Sequence, residues 1–577
     1  MRPANPISQA RLSYKPPITQ YCPQPLPVFE EETHVFATKA PGQEIAEETC
    51  ATKHYSSTRR PLMLLNTKFL FSIVRLNTYL RAALAIAAIA TSVTGAHAAL
   101  IISTAPTKNV NCTGTLCEQT QGGGAVLNVT QLENLLASSD VEVSDENRGG
   151  IIVQAPITWV SASKLTLRGE SLKINKSITI TGTGGLTLLT VGNARPFTMG
   201  PKAKITFWTT SSSFAFGPNA TPYTLVNSIA ALASAVAENP SGNYALANDY
   251  DASADGTYAS SPILSFAGSF FGLNHTISNL SIADTISGHE VGLFGEYTGE
   301  TISYLNLQKI HVSGTDDSQV GGIAGISGNR SIISNVSVEG TVSTGKGTNG
   351  ASPEAMAGVI VGLLTATGHT TATLQYAFSI GKVRGGKNSI IGGAVGEVYQ
   401  DSGSFSGLAA VYSTASVTLL SSDCKGCVVG SPMDSAGGLI GANYGIVGAA
   451  YAMGAVTGGS SSNLGGLVGF NSTSVADAVA ESYSTGTVIG GPGSSIGGSV
   501  GFNQAPGSFT HIYWDTTTSG ITDPSRGVGN VSNASGVTGL TTAQLQSGLP
   551  AGFSTSDWGE KPTINGGLPY LLVLPPK

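Results

Sequence analysis

The residues whose types and spacing best suit chemistry are three carboxylates in one stretch, Asp249-Tyr250-Asp251-Ala252-Ser253-Ala254-Asp255-Gly256. Oxygen-rich loops of this kind can wrap a calcium ion, so Asp249, Asp251 and Asp255 are calcium-ligand candidates. The stretch lacks the bidentate glutamate that ends an EF-hand loop, and a solvated loop is the competing reading. Among the six cysteines, Cys112 and Cys117 flank a short loop, and Cys424 and Cys427 form a Cys-Lys-Gly-Cys unit. In an exported chain each close pair suits a local disulfide. Free thiols, or a metal or redox centre, are the alternatives, although two thiols per place fall short of a four-ligand zinc site. The eight histidines are scattered and no His-Glu-x-x-His occurs, so the helical zinc-peptidase motif is missing. No serine lies in a Gly-x-Ser-x-Gly elbow with a strand-to-helix context. Asp316-Asp317 reads as an exposed turn. Asp515 follows Tyr513-Trp514, an aromatic pair that suits the end of a stack, with sugar stacking on Trp514 as the alternative. These residues give no catalytic centre and call for no cofactor.

Glycine carries a stronger signal, with 74 residues in a chain of 577. From about residue 288 a glycine-rich turn recurs around small apolar residues. It is clearest at Gly321-Gly322-x-x-Gly325, Gly392-Gly393-x-x-Gly396, Gly437-Gly438-x-x-Gly441, Gly465-Gly466-x-x-Gly469 and Gly497-Gly498-x-x-Gly501. Val291 to Gly295 and Gly358 to Gly362 are looser copies. Between the turns lie aromatic-containing strands followed by Gly-x-Val, as in Tyr451 to Val456 and Tyr483 to Val488. The period varies from roughly 28 to 45 residues, the range of solenoids and propellers. A nucleotide-binding loop is the rival, but the turns lack its lysine and following helix. These glycines are expected at tight corners, where positive φ or close backbone approach leaves no room for a side chain.

The elements around these turns must be strands. Charged residues are 11% of the chain, hydrophobic ones 41%, and the net charge is −6. That balance gives no footprint for nucleic acid and too much apolar content for disorder. Short alternations such as Ile157-Thr158-Trp159-Val160, Leu165-Thr166-Leu167 and Ile178-Thr179-Ile180 mark half-buried strands. Their even spacing predicts a winding stack in which each coil covers its neighbour. One short helix is expected near 224–238, from Val226, Ile229, Leu232 and Val236 on one face, stopped by Asn239-Pro240. The fold class is therefore all-β, a right-handed parallel β-helix with one helical insertion.

Export is also written in the chain. Residues 63–98 read as a signal peptide, with Lys68, Arg75 and Arg81, an apolar run from Ala82 to Ala90, and Ala96-His97-Ala98 for cleavage after Ala98. Residues 1–62, rich in Pro, Glu and Thr, are a disordered or misassigned leader. Coils are expected over 99–210, a connecting segment over 211–287, the glycine-cornered solenoid over 288–521 and a capping segment over 522–577.

The repeats, above all Gly465 to Gly491, resemble the GLUG motif of filamentous haemagglutinin-like adhesins and exoproteins. Ile512 to Gly520, Gly539 to Leu545 and Asn565 to Leu571 are similar to endings of such arrays. The zone from Leu132 to Leu188 is similar to their spacer coils. The usual Asn-Pro-Asn-Gly secretion segment is not found. The resemblance implies a secreted or outer-surface protein of a Gram-negative bacterium and a non-catalytic role in attachment. Its implied partners are a glycan or protein ligand on a host or bacterial surface and an outer-membrane transporter for secretion. A carbohydrate-active enzyme on the same scaffold and a passive biofilm component are the alternatives.

Overall fold

Strands form wherever branched aliphatic residues alternate with Thr, Ser or Lys. In Val141–Asp145 and Lys164–Gly169 alternate side chains are buried. Such a strand leaves one apolar face and two backbone edges unsatisfied, and the coils above and below supply what is missing. The computed structural model describes residues 99–576, apart from 121–123, 146–148, 192–195, 349–353, 421–430, 433, 474 and 506–507. These form a parallel β-helix. The signal segment, Ala98, Cys424 and Cys427 lie outside the described residues.

The first coils stack Leu100–Ser103, Ile151–Val153, Leu172–Ile174 and Phe197–Met199 in parallel. A second ladder runs through Ile157–Trp159, Ile178–Ile180 and Ile205–Phe207. A third joins Val141–Asp145, Lys164–Gly169 and Gly185–Thr190. Leu165, Leu167, Ile178, Ile180, Leu186 and Leu188 fill the interior without exposure. Each such side chain contributes about 1.5–3 kcal/mol by burial. At Phe214–Phe216 the chain pairs antiparallel with Thr221–Val226. Parallel winding then resumes through Asn243–Leu246 and Ser269–Phe271. Phe197 sits at this seam, edge-on to Phe216, Phe271 and Tyr304 with ring centroids 4.9, 5.7 and 5.6 Å away.

The later coils are built on three ladders, and in three of them a short fourth strand, Ser416–Leu419, Val456–Thr457 or Val488–Ile489, follows the long one. The short strands Gln319–Gly321, Met356–Gly358, Ile390–Gly392, Ser435–Gly437, Asn463–Gly465 and Ser495–Gly497 form one ladder. Ala324–Gly328, Val361–Ala366, Val395–Gln400, Ile440–Asn443, Val468–Asn471 and Val500–Asn503 form the second. The long strands Ile332–Ser343, Thr371–Gly385, Phe405–Ser413, Ile446–Ala452, Val479–Ser484 and Phe509–Asp515 form the third.

The glycines act by one of their two expected mechanisms. None of the fifteen corner glycines has positive φ; all but Gly498 sit where another backbone comes too close for a side chain. A Cβ on Gly465 would meet the backbone nitrogen of Gly501 at 2.6 Å, and one on Gly469 the backbone nitrogen of Ala436 at 2.7 Å. A Cβ on Gly466 would overlap the carbonyl oxygen of Gly498, and one on Gly498 the ring of Trp514. The first and third glycines of a unit thus let the two short ladders touch, and the second lets one turn nest on the next. Positive φ falls instead on non-glycine residues at one point of each long strand: Asn335, Tyr376, Ala410, Ala449, Glu481 and His511. The ladder register skips these residues, so they mark the bend.

Three helices are present among the described residues where one was expected. Ile229–Glu238 is shorter than the expected 224–238, because Thr221–Val226 pairs as a strand and Ser228 caps the helix. The Ser228 hydroxyl accepts the Ala231 N–H at 3.1 Å. Val129–Leu136 is capped by Asn128 and buries Val129, Leu132 and Leu136. Thr542–Leu545 is a single turn held by a Thr541–Gln544 capping box.

Candidate functional site

The acidic stretch is brought together but is already used. Asp249 forms an ion pair with Lys204 at 2.6 Å. It also meets His275 Nδ1 at 3.1 Å and accepts the Thr276 N–H at 2.9 Å. Burial works to raise this carboxyl, but the bonds from His275, Lys204 and Thr276 outweigh it and hold the group well below the usual carboxylate range. Asp251 accepts from Asn279 Nδ2 at 2.7 Å and from the Ser253 N–H at 3.0 Å. Asp255 accepts hydrogen bonds from the hydroxyls of Tyr250 and Tyr258. Each candidate calcium ligand is thus turned to a different partner. Among the described residues no three His, Cys, Asp or Glu gather to hold a metal, so the calcium reading is not supported.

Cys112 and Cys117 are joined as a disulfide, closing the hairpin Val110–Thr113 and Leu116–Gln119. Asp316 lies 3.7 Å from Lys346 and Asp317 has positive φ, in keeping with a turn. Trp514 is fully buried, and its Nε1–H donates to the Ile521 carbonyl at 3.1 Å, so it offers no face to a sugar.

Two features of the outer surface were given no role in the reading of the sequence. Along the long-strand ladder Phe378, Tyr412, Tyr451 and Tyr483 stack with centroids 5.0, 4.7 and 5.1 Å apart. Residues from the last part of the chain, Leu545, Phe553, Trp558, Leu568 and Leu571, pack over this stack. The Tyr483 hydroxyl donates to the Pro569 carbonyl at 2.7 Å, and Asn565 Nδ2 donates to it at 2.9 Å. This segment therefore lies along the flank of the stack. The signal was the tyrosine recurring once per repeat.

The second feature lies on the outer face of Val395–Gln400. Glu397 stands between Leu363 and Ala442 on the adjacent rungs. It is only 7% exposed. Burial first, and then the charge of Glu354, push its carboxyl up to about 8. Tyr444, above an apolar patch of Met356, Leu363 and Phe470, is raised by burial and then by Glu397 and Glu354. Tyr399, 39% exposed, rests against Tyr444 with centroids 5.8 Å apart.

No curated protein matches the chain. Over residues 219–340, which run from the antiparallel seam through two glycine-cornered turns, the chain matches a family described as the M26 IgA1-specific metallo-endopeptidase N-terminal region. That match is to a peptidase region, so it overturns the expectation of a non-catalytic adhesin, and with it the expectation that the chain has no enzymatic role.

Proposed function

We propose that this chain serves proteolysis, as a β-helical region that holds a protein substrate of the immunoglobulin A1 kind for a metallo-endopeptidase. The match over residues 219–340 carries this reading. Those residues run from Thr221–Val226 into Ile332–Ser343, and their coils belong to the same buried core as the later rungs. A stack of this kind is rigid and presents loops and outward side chains along its length, a suitable surface for a long polypeptide. The described residues do not fit a catalytic metal, because they gather no set of donors for one. Within this proposal the described coils bind and orient the substrate.

The kinship of the glycine-cornered units with GLUG repeats of haemagglutinin-like surface proteins is part of the same proposal, as kinship of scaffold. So is export through residues 63–98. Surface plasmon resonance of the chain over immobilised immunoglobulin A1 tests the substrate reading. Saturable binding that an unrelated β-helix does not show is expected. A folded chain that fails to bind at micromolar concentration would remove it.

A further inference from the structure

Glu397 is an anomaly of the stack. Its equivalents on other rungs are Glu296, which is exposed, and the apolar Ile326, Leu363, Ala442, Phe470 and Phe502. A carboxylate buried between Leu363 and Ala442 is costly unless something compensates it. No described group donates a hydrogen bond to it, and the one charge felt there is the like charge of Glu354. On the same outer face stand Tyr444, half-buried, and Tyr399, 39% exposed. A 7% exposed carboxylate to which no described group donates, a second carboxylate whose charge reaches it and two tyrosines on the same outer face make a candidate binding site.

We propose that this niche binds a protonated nitrogen cation, the ammonium or guanidinium group of a lysine or arginine side chain. Such a group offers several N–H donors and one positive charge to the two carboxylates. Its alkyl stem matches Met356 and Leu363, and its charge is attracted by the faces of Tyr444 and Tyr399. A metal ion is the poorer occupant. Calcium takes six to eight oxygen ligands, whereas among the described residues two glutamates with no third acidic, histidine or cysteine donor stand here. The site lies on rungs beyond residues 219–340, so it does not depend on the substrate reading.

The test is calorimetric titration of the full chain with Nα-acetyl-arginine methylamide and its lysine counterpart. The citrulline derivative, equal in shape but uncharged, and calcium chloride serve as rivals. Saturable binding of a charged derivative is expected, weakened at least tenfold by Glu397→Gln and several-fold by Tyr399→Ser, with no citrulline binding. A free alkylguanidinium and the tripeptide Ala-Arg-Ala tell the two sources apart. Equal binding points to a small amine, and preference for the peptide points to a side chain of a polypeptide. The proposal is overturned if citrulline binds as well as arginine, if Glu397→Gln leaves binding unchanged, or if calcium is the cation whose binding depends on Glu397. Thermal unfolding of each variant confirms that it is folded, and Tyr399→Ser, at the exposed rim, keeps the test independent of burial.

Discussion

Gly466 faces the carbonyl oxygen of Gly498 and the Ser484 side chain across a gap with no room for a methyl group. Gly466→Val should therefore lower stability by more than about 3 kcal/mol, the range of severe overpacking. Gly328 gives the internal control, since a Cβ there would stand 3.7 Å from the nearest atom at ordinary φ. Gly328→Ala should change stability by less than about 0.5 kcal/mol, and denaturant titration of both variants checks the contrast. Glu397 predicts a pH effect. Its carboxyl is raised from the ordinary value of 4.5 to about 8 in the folded chain, by burial and then by Glu354. The folded state therefore holds a proton that the unfolded chain has released across that window. Stability on this account is greatest below pH 4.5 and falls as pH rises to about 8. Glu354 and Tyr444 face the same niche, and Tyr399 touches Tyr444. Glu354 is raised by its own burial and adds to the trend in the same direction. Glu397→Gln should flatten the fall and raise stability at pH 8 by a few kcal/mol at most, on the scale of about 1.4 kcal/mol per pKa unit. Melting curves from pH 5 to 8 read it out.

At the scale of elements, the long-strand tyrosines and the segment that covers them form one packed unit. Trp558 lies 6.1 Å from Tyr451 and 5.9 Å from Tyr483, centroid to centroid, and 4.5 Å from Phe553. Trp558→Ala should cost about 3–5 kcal/mol, as large buried aromatics do. Tyr483→Phe removes a hydroxyl that donates to Pro569 and accepts from Asn565, and should cost about 1–3 kcal/mol. Hydrogen exchange over 541–574 should rise in both variants while the glycine-cornered rungs stay protected. At the ends of Ile440–Asn443, Val468–Asn471 and Val500–Asn503, the residues Asn443, Asn471 and Asn503 form a buried amide ladder, with Nδ2 to Oδ1 distances of 2.9 Å at each step. Like the tyrosine stack, it is a contact that only a parallel in-register stack makes.

At the scale of the molecule, what was legible in the sequence depended on how local its cause was. The glycine-cornered rungs could be read because each Gly-Gly-x-x-Gly unit must nest on its neighbours, and that demand falls on consecutive residues. The Ile229–Glu238 helix showed its apolar face, but its start was misplaced because the Val226 side of the pattern belongs to a strand. Val129–Leu136 was hidden by its brevity, although Asn128 followed by Val129, Leu132 and Leu136 was the signal. The uses of the carboxylates at 249 and 251 were hidden, because their partners Lys204, His275 and Asn279 come from other coils, while Asp255 is held locally by Tyr250 and Tyr258. Glu397 gave no sign at all between Gly396 and Val398, since its burial is made by Leu363 and Ala442 on adjacent rungs. Export belongs to this scale too. Amino-terminal sequencing of the secreted product should begin at Ala99, and an intact Met1 on the product would end the export reading. The central claim is that a parallel stack, starting at the seam near Thr221, holds a protein substrate for cleavage. Hydrogen–deuterium exchange of the chain with and without immunoglobulin A1 tests it most directly. The account predicts added protection within 219–340 and along the rungs that continue it, whereas unchanged exchange throughout, or protection confined to 99–210, would contradict it.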